Sequence, residues 1–282
     1  MDKFYIITNS DKDKDLEFTG QIVEYLKANG RKCMVQQAER KQEGAYHYTN
    51  PALIPEDTEC ILVLGGDGTI LQRAAECAKR KIPVLGINLG KIGFMTEIEI
   101  DDMEDAISKF LQDDFTIEKR MMMKAEIRKE NKIQFSFHAL NDVVVSKVAG
   151  EKLIYMELST DGVAVNRYTA DGLIIATPTG STGYSISAGG PVVDPCMRLY
   201  VATPICAHML SVRSAVLSSN KDIRIKLDGE YGNADAVVTA DGDIQGYIKN
   251  ADEVIITESE YDFELIKIGE QSFYDTLIKK LS

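Results

Sequence analysis

A run of four aliphatic residues at 61–64 passes directly into a glycine-rich turn, Gly-Gly-Asp-Gly-Thr at 65–69, and this junction constrains the fold most. A short apolar run without alternation is typical of a strand buried on both faces of a parallel sheet. Glycines give the turn unusual conformational freedom and let its backbone approach a ligand. Thr69 is expected to cap a following helix, whose free amides and positive dipole end favour an anion. The junction therefore predicts a phosphate site at the end of a buried strand.

The carboxylate of Asp67 does not fit a passive phosphate cradle, because it repels phosphate oxygens unless it holds a metal or accepts a proton. Such a group indicates chemistry rather than binding alone. The alternative is an ordinary strand-to-helix turn in which the aspartate caps the helix. The turn is neither a Walker-type Gly-Lys-Ser/Thr motif nor Gly-x-Gly-x-x-Gly, so by itself it leaves both interpretations open.

Composition limits the class of protein. The 282 residues, 44% of them hydrophobic, are enough for two domains with separate cores. The formal net charge of −12 argues against sequence-independent nucleic-acid binding and against an anionic membrane surface. Five scattered cysteines are typical of reduced thiols, and three isolated histidines argue against a zinc site. No apolar run is long enough to span a bilayer and the start lacks signal-peptide order, so we expect a cytoplasmic chain.

The secondary-structure pattern changes near residue 121. Residues 1–120 alternate strand and helix, which predicts an α/β domain with a parallel, Rossmann-like sheet that carries the glycine turn. Residues 121–268 read as short strands separated by turn residues, which predicts an all-β domain, an antiparallel β-sandwich, with a hairpin turn at 160–162. Residues 269–282 include a short amphipathic helix that we expect to pack back on the first domain.

Three local expectations come from the same patterns. The polar stretch 37–59 is predicted to be mostly loop, and the charged run 11–15 a solvated loop. Residues 253–258 and 263–268 are predicted to be two separate strands near the end of the all-β domain.

A second informative region spans residues 171–191. A buried strand opens there into a loop dense in hydroxyls and glycines, with the aromatic ring of Tyr184 in its middle. Hydroxyls hydrogen-bond a polar ligand while an aromatic ring stacks on it, so the region is a candidate binding loop. By composition alone, a Ser/Thr/Gly run is more often an ordinary loop.

Together these segments resemble the NAD kinase family. The matching motifs are Gly-Gly-Asp-Gly-Thr at 65–69, Asn-Leu-Gly-Lys-Ile-Gly-Phe at 88–94, Asn141-Asp142, the block 171–191 and Ala-Thr-Pro-Ile-Cys at 202–206. The glycine turn is shared with diacylglycerol and sphingosine kinases, but its combination with Thr-Pro-Thr-Gly-Ser-Thr-Gly-Tyr and Asn-Asp is specific. The resemblance implies a two-domain fold with NAD bound between the domains. It also implies that ATP, or polyphosphate in some members, phosphorylates the 2′-hydroxyl of the adenosine ribose of NAD, giving NADP.

The resemblance further implies roles for individual residues. Asp67 is the proton acceptor for the ribose hydroxyl, with Gly68 in the same binding loop, and Asn141 with Asp142 grips the adenosine end. Asp171 matches the carboxylate that contacts the nicotinamide amide. The segment around the adenine comprises Thr182, Gly183, Tyr184, Ser185, Ile186 and Ser187, with Tyr184 as the stacking side chain.

Four positions match the family pattern less closely. Lys152 falls where the family places a basic residue, and Thr169 falls near another basic position, which puts a direct phosphate contact by Thr169 in doubt. Gly183 stands where alanine is usual, which is expected to keep the pocket but loosen the loop. Asp243 stands where the family carries an amide, which puts its donor contact to the ligand in doubt.

The expected partners are NAD and ATP, the latter with a divalent metal, Mg²⁺ or Mn²⁺, for which no protein ligand is predicted; a homodimer or homotetramer is also expected. A lipid kinase of the same superfamily is one alternative, but it needs an apolar acceptor groove or a membrane-facing surface. The hydroxyl-rich segment 177–187 and the acidic charge argue against both. A non-catalytic NAD(P) sensor is the other alternative, and it gains nothing from Asp67 beside phosphates.

Overall fold

The computed structural model forms two compact units, one of residues 1–119 and 263–282 and one of residues 120–262. This division places residues 263–268 in the first unit, whereas the sequence analysis counts them with the all-β domain. The described residues are 1–36, 51–90, 92–96, 98–150, 152–208, 213–228, 235–270 and 272–281. Residues 37–50 of the predicted 37–59 loop lie outside the described residues.

The first unit is built around a parallel sheet. Its elements before residue 115 are β1 (Lys3–Thr8), α1 (Glu17–Ala28), β2 (Lys32–Gln36), β3 (Cys60–Gly65), α2 (Asp67–Arg80), β4 (Val84–Asn88), β5 (Ile98–Glu99) and α3 (Met103–Leu111). The strands pair in parallel in the order β2-β1-β3-β4-β5, which confirms the α/β prediction. Every residue of β3 is buried, as its unbroken apolar run predicts. Helices α1 and α3 bury apolar faces in the same core, including Ile22, Leu26, Ile107 and Phe110.

The second unit is an antiparallel β-sandwich, as predicted. Its elements are β6 (Thr116–Lys129), β7 (Lys132–Ala139), β8 (Asp142–Lys147), β9 (Ile154–Thr160), β10 (Val163–Ala170), β11 (Gly172–Ala176), α4 (Tyr184–Ser187), β12 (Leu199–Ile205), β13 (Ala215–Ser218), β14 (Ile223–Leu227), β15 (Ala236–Ala240), β16 (Asp243–Ile248) and β17 (Glu253–Lys267). The first residues of β6, 116–119, and the last residues of β17, 263–267, belong to the first unit. One sheet has the order β13-β12-β11-β8-β15-β16, and the other contains β10-β9-β14-β17. Side chains of both sheets share one core, such as Val145 and Leu173 with Leu158 and Ile225.

Three hairpins of this unit close through two-residue turns with positive φ, and one of these turns is Glu130 (φ 49°) and Asn131 (φ 61°) between β6 and β7. Asp161 (φ 49°) and Gly162 (φ 79°) join β9 to β10, which confirms the predicted turn. Asp241 (φ 48°) and Gly242 (φ 89°) join β15 to β16 in the same way, a turn that the sequence analysis did not identify. Paired positive φ values match the twist of antiparallel strands, and aspartate and glycine tolerate them. The Asp241–Gly242 turn fixes the position of the Asp241 carboxylate.

The C-terminal helix, α5 (Phe273–Leu281), belongs to the first unit, as predicted. Ser272 and Asp275 form a capping box: the Asp275 amide donates to Ser272 Oγ (3.2 Å), and the Ser272 amide donates to Asp275 Oδ2 (2.9 Å). The Phe273 ring packs against the Phe94 ring, with 5.5 Å between the centroids. This contact anchors the start of α5 on the second glycine turn, of which residues 88–90 and 92–96 are described.

Three local predictions are wrong. Helix α2 begins at Asp67 with Gly66 as its N-cap, so Thr69 lies inside the first turn, buried, and is not the cap. The strands predicted at 253–258 and 263–268 are one strand, β17, whose last residues pair in parallel with β4. The charged run 11–15 is not wholly solvated, because Asp13 is buried.

Candidate active site

The Asp67 carboxylate is held by the second glycine turn. Its Oδ2 accepts the amide of Phe94 (2.8 Å), while its Oδ1 accepts the amides of Met95 (3.0 Å) and Thr96 (3.2 Å) and the Thr96 hydroxyl (3.2 Å). A carboxylate offers about four lone-pair positions, so Oδ2, with one donor, has room for another. The side chain is therefore fixed in position with one oxygen still able to accept a proton.

Close approach between the two glycine turns depends on Gly93. A Cβ atom at this position would lie 2.0 Å from Asp67 Oδ1 and 2.3 Å from the Thr96 hydroxyl. The first turn packs closely as well, since a Cβ on Gly65 would lie 2.5 Å from the Thr69 hydroxyl. The glycines thus serve close packing, and the backbone of the 65–69 turn contains no positive φ.

An open cavity of about 710 Å³ lies beside Asp67. Its lining residues are Asp67, Ile92, Gly93, Lys279 and Lys280, all of the first unit. The amino end of α2 also begins at Asp67, so its first amides have no partner within the helix. Amides and lysine side chains favour an anionic ligand, and the carboxylate is the exception among them.

A further lysine lies beside the glycine turns. Lys12 Nζ would be 3.1 Å from a Cβ on Gly90 and 3.5 Å from one on Gly66. The buried Asp13 carboxylate fixes this loop, because it accepts the amides of Phe18 (3.2 Å) and Thr19 (3.0 Å) at the start of α1. Sequence reasoning missed Lys12 because a buried aspartate within a charged run leaves no signal in the sequence.

In the second unit, the Asp241 carboxylate organises the Asn-Asp motif. It accepts the consecutive amides of Leu140 (2.8 Å), Asn141 (2.7 Å) and Asp142 (3.2 Å). The Asn141 carbonyl accepts the Thr177 amide (2.8 Å), which ties the motif to the hydroxyl-rich loop. Among the described residues, the buried Asn141 Oδ1 has no hydrogen-bond partner. Asp241 was missed by sequence reasoning, although its Asp-Gly turn signal was present.

Two carboxyl groups of this motif have perturbed acidities. Burial raises the pKa of Asp142 to about 7, and the neighbouring charge of Asp241 adds to this effect. Burial also raises the pKa of Asp241, to about 6, although its three backbone donors lower it. Asp243 is exposed, and its charge contributes to raising the pKa of Asp241. Asp243, an acid where the resemblance implies an amide, therefore raises the pKa of Asp241, the carboxylate that holds the Asn-Asp motif.

Several hydroxyls of the 177–187 loop form hydrogen bonds within the protein. The Thr177 hydroxyl donates to the Leu140 carbonyl (2.5 Å), and the Ser181 hydroxyl to the Pro178 carbonyl (2.7 Å). Thr182 and Ser185 are used in the same way, through the Thr179 carbonyl and the Thr203 hydroxyl. These bonds hold the loop as a short 3-10 turn followed by α4.

The remaining side chains of this segment offer contacts to a ligand. Tyr184 is 48% exposed at the start of α4, Ser187 is exposed, and Ile186 is half-buried. A Cβ on Gly183 would lie 3.3 Å from the Gly180 carbonyl and 3.4 Å from Asn141 Nδ2. The alanine that the resemblance implies at this position would require the Gly180 carbonyl or the Asn141 amide to move by a few tenths of an ångström.

The contacts of two further predicted site residues, Asp171 and Thr169, are with residues outside the Asn-Asp motif. Asp171 forms an ion pair with Lys147 (2.8 Å), and the Thr169 carbonyl accepts the His208 amide (2.9 Å). Lys152 is exposed in the connection between β8 and β9. Asp171 therefore already has a cationic partner in the protein.

Both halves of the chain match models of one family. Residues 4–115 match the ATP-NAD kinase N-terminal domain, and residues 140–268 match the ATP-NAD kinase C-terminal domain. The chain belongs to the ATP-NAD kinase family. The resemblance found in the motifs is thereby confirmed, together with NAD kinase function and the class of phosphotransferase.

Curated relatives and solved structures agree with this membership. The chain is 40% identical to an NAD kinase of Lachnoclostridium phytofermentans (99% of each chain) and 36% identical to one of Lachnospira eligens (100% of each). An NAD kinase from Archaeoglobus fulgidus in complex with ATP is 26% identical, with a TM-score of 0.76 over 99% of this chain and 98% of that one. Yeast NADH kinase complexed with NADH shares the fold, with a TM-score of 0.80, 22% identity and coverage of 100% and 87%.

The described ranges contain neither a cluster of metal-binding side chains nor a helix that could span a membrane. These ranges contain no group of three or more His, Cys, Asp or Glu side chains arranged to hold a metal ion. None of the described helices of this ATP-NAD kinase family member is long and apolar enough to cross a membrane.

We predict that Gly93→Ala destabilises the first unit by about 1–3 kcal/mol, because the new methyl group overlaps Asp67 and Thr96. Urea unfolding measures the change. Gly20→Ala is the matched control, since a Cβ there meets nothing within 4 Å inside α1 and should stabilise by about 0.5–1 kcal/mol. Equal stability of Gly93→Ala and the wild type would contradict the close approach.

A second prediction concerns pH. A carboxyl group whose folded pKa is raised stabilises the fold fully below its unfolded pKa and loses this contribution as pH rises through the folded value, here from about 4 to about 7. Asp142→Asn should therefore gain stability relative to the wild type between pH 4 and pH 8. Between these two pH values, the free energy of unfolding of Asp142→Asn minus that of the wild type should rise by at least about 1 kcal/mol, the equivalent of one pKa unit. Urea unfolding of both proteins at pH 4 and at pH 8 measures this change. A difference between the two proteins that is constant over this range would contradict burial of the acid.

Proposed function

We propose that this NAD kinase family member transfers the γ-phosphoryl group of ATP to the 2′-hydroxyl of the adenosine ribose of NAD, giving NADP. The observation that carries the proposal is the Asp67 carboxylate, fixed by the turn at 94–96 beside a cavity with two lysines. ATP is named with the Archaeoglobus fulgidus NAD kinase and NADH with the yeast enzyme. These relatives support the choice of a nucleotide donor and a dinucleotide acceptor.

In the proposed reaction, Oδ2 of Asp67 accepts the proton of the ribose 2′-hydroxyl as its oxygen attacks the γ-phosphorus. The bond from the γ-phosphorus to the bridging oxygen breaks, and ADP leaves with the bonding electron pair. General base action of this kind contributes roughly 10²- to 10⁴-fold to a rate. Mg²⁺ or Mn²⁺ enters with ATP as part of the substrate and neutralises charge on the phosphoryl oxygens.

The phosphate end of the donor is proposed to bind at the glycine turns. The amides at the start of α2, including that of Gly68, favour an anion through their free N–H groups and the helix dipole. Lys12 supplies a positive charge beside Gly66 and Gly90. A chain with a net charge of −12 thus carries a locally basic site for a polyanion.

Adenosine recognition is proposed to lie in the second unit. Asn141 has an amide oxygen without a partner in the described residues, which suits a ligand donor, and the buried Asp142 follows it. The exposed Tyr184 ring is proposed to stack on the adenine. The remaining contacts are proposed from Lys152, Thr169, Asp171, Thr182, Gly183, Ser185, Ile186, Ser187 and Asp243.

We propose a cytoplasmic homodimer or homotetramer, in agreement with the acidic charge and with the expectation from the family. Sedimentation velocity at micromolar concentration distinguishes these states from a monomer.

Asp67→Asn should lower turnover at least 100-fold while changing the Kd for NAD less than about threefold, because the base is lost and the adenosine contacts remain. It should also destabilise the fold by about 1–3 kcal/mol, since an amide has one acceptor oxygen for four donors. NADP formation, NAD titration and urea unfolding measure the three effects.

Thr96→Val is the matched control for Asp67→Asn, because it removes one hydrogen bond to the carboxylate and leaves the carboxylate in place. Its turnover should stay within about tenfold of the wild type. An equal loss of turnover in the two variants would assign Asp67 to holding the turn and contradict its role as the base.

Tyr184→Ala should weaken NAD binding about tenfold with unchanged stability, because stacking of a base on an aromatic ring contributes about 1–3 kcal/mol. Tyr247→Ala is the control, since this tyrosine is also about half exposed, at 54%, but lies on β16. Calorimetric titration with NAD compares the variants. Superimposable titration curves for Tyr184→Ala and the wild type would place the adenine elsewhere.

A further inference from the structure

The last turn of α5 lies at the cavity that contains Asp67. Lys279 and Lys280 line this cavity together with Ile92 and Gly93. Lys280 Nζ lies 4.3 Å from the centroid of the Phe94 ring, directly beside the turn that holds Asp67. The capping box and the ring contact at the start of the helix fix the direction in which these lysines project. The C-terminal helix therefore brings two positive charges to the proposed base.

These two lysines carry no carboxylate partner within ion-pair distance in the described part of the chain. The charge of Lys279 contributes to lowering the pKa of Asp275, one turn earlier, but the Asp275 carboxylate accepts a hydrogen bond from the Ser272 hydroxyl. In contrast, Lys109 near the end of α3 is paired with Asp105 at 2.7 Å. Both side chains are exposed at the cavity, so their charges are available to an anionic ligand that binds there.

We infer that Lys279 and Lys280 bind the polyphosphate chain of the phosphoryl donor beside Asp67, so that α5 forms part of the donor site. The inference rests on the proposed function, because only a phosphoryl donor needs its polyanion next to the base. Lysine charges offset the repulsion between the Asp67 carboxylate and the phosphate oxygens. The cavity volume of about 710 Å³ lies within the range of small-molecule sites.

A purely structural role for the lysines makes a different prediction. Cations in the last turn of a helix interact favourably with its dipole, and Lys280 also contacts the Phe94 ring. In that case, substitution lowers the stability of α5 and leaves phosphate binding unchanged. Binding and stability measured on the same variants separate the two roles.

The test uses the full chain and sodium tripolyphosphate as the probe. Lys279→Gln/Lys280→Gln should bind tripolyphosphate at least about tenfold more weakly than the wild type in calorimetry, because charge-assisted hydrogen bonds to phosphate are lost. The KM for ATP should rise by a similar factor, while the Kd for NAD stays within about twofold. Lys279→Arg/Lys280→Arg should restore most of the binding, because it retains both charges.

Lys27→Gln/Lys79→Gln is the matched control. It also removes two exposed lysines from the last turns of helices, α1 and α2, of the same unit. This variant should bind tripolyphosphate as the wild type does, which excludes an effect of net charge alone.

Two outcomes would overturn the inference: a wild type that does not bind tripolyphosphate, and a Lys279→Gln/Lys280→Gln variant that binds it like the control. The proposed function is tested separately by NADP formation in the wild type. If the wild type forms NADP but the Lys279→Gln/Lys280→Gln variant still binds tripolyphosphate normally, the inference is overturned and the proposed function stands. If the wild type forms no NADP but binds tripolyphosphate, and the Lys279→Gln/Lys280→Gln variant loses this binding, the lysine site is supported and the proposed function is overturned.

Discussion

The first unit of this chain depends on one carboxylate bound by a neighbouring turn. Asp67 accepts three consecutive amides, those of Phe94, Met95 and Thr96, and so joins the start of α2 to the turn after β4. Burying the donors of a loop requires partners for them, and a carboxylate supplies several at once. The same contact sets the position of the candidate base and the position of Phe94, on which α5 packs. Catalytic geometry and the anchoring of the C-terminal helix are therefore linked through one side chain.

The second unit uses the same device. The Asp241 carboxylate accepts the amides of three consecutive residues, 140–142, and thereby fixes the Asn-Asp motif. Asp13 acts similarly on two amides at the start of α1, which sets the position of Lys12. Acidic residues of this chain are thus more than surface charge. Each of the three carboxylates accepts backbone amides of a loop and so fixes a loop that carries a proposed functional group.

The architecture could be predicted because it depends on patterns that the chain repeats. Full burial of β3 follows from four consecutive aliphatic residues, and the hairpin at 160–162 follows from its Asp-Gly pair. The candidate site could be predicted only through motifs, and its contacts could not. Nothing local in the sequence indicates that Asp13 is buried or that Asp241 reaches residues a hundred positions away. The partners of the Thr177 and Ser181 hydroxyls could not be predicted for the same reason, since the Leu140 and Val193 carbonyls lie far from them in the sequence.

The central claim is that the fixed carboxylate of Asp67 serves phosphoryl transfer to the ribose of NAD. The most direct measurement follows NADP with an NADP-specific dehydrogenase after the purified wild-type chain is incubated with NAD, ATP and Mg²⁺, with polyphosphate as donor in parallel. The account predicts NADP that accumulates over many turnovers in step with ADP in the ATP reaction. NAD binding without NADP from either donor would contradict it and would favour a non-catalytic dinucleotide sensor.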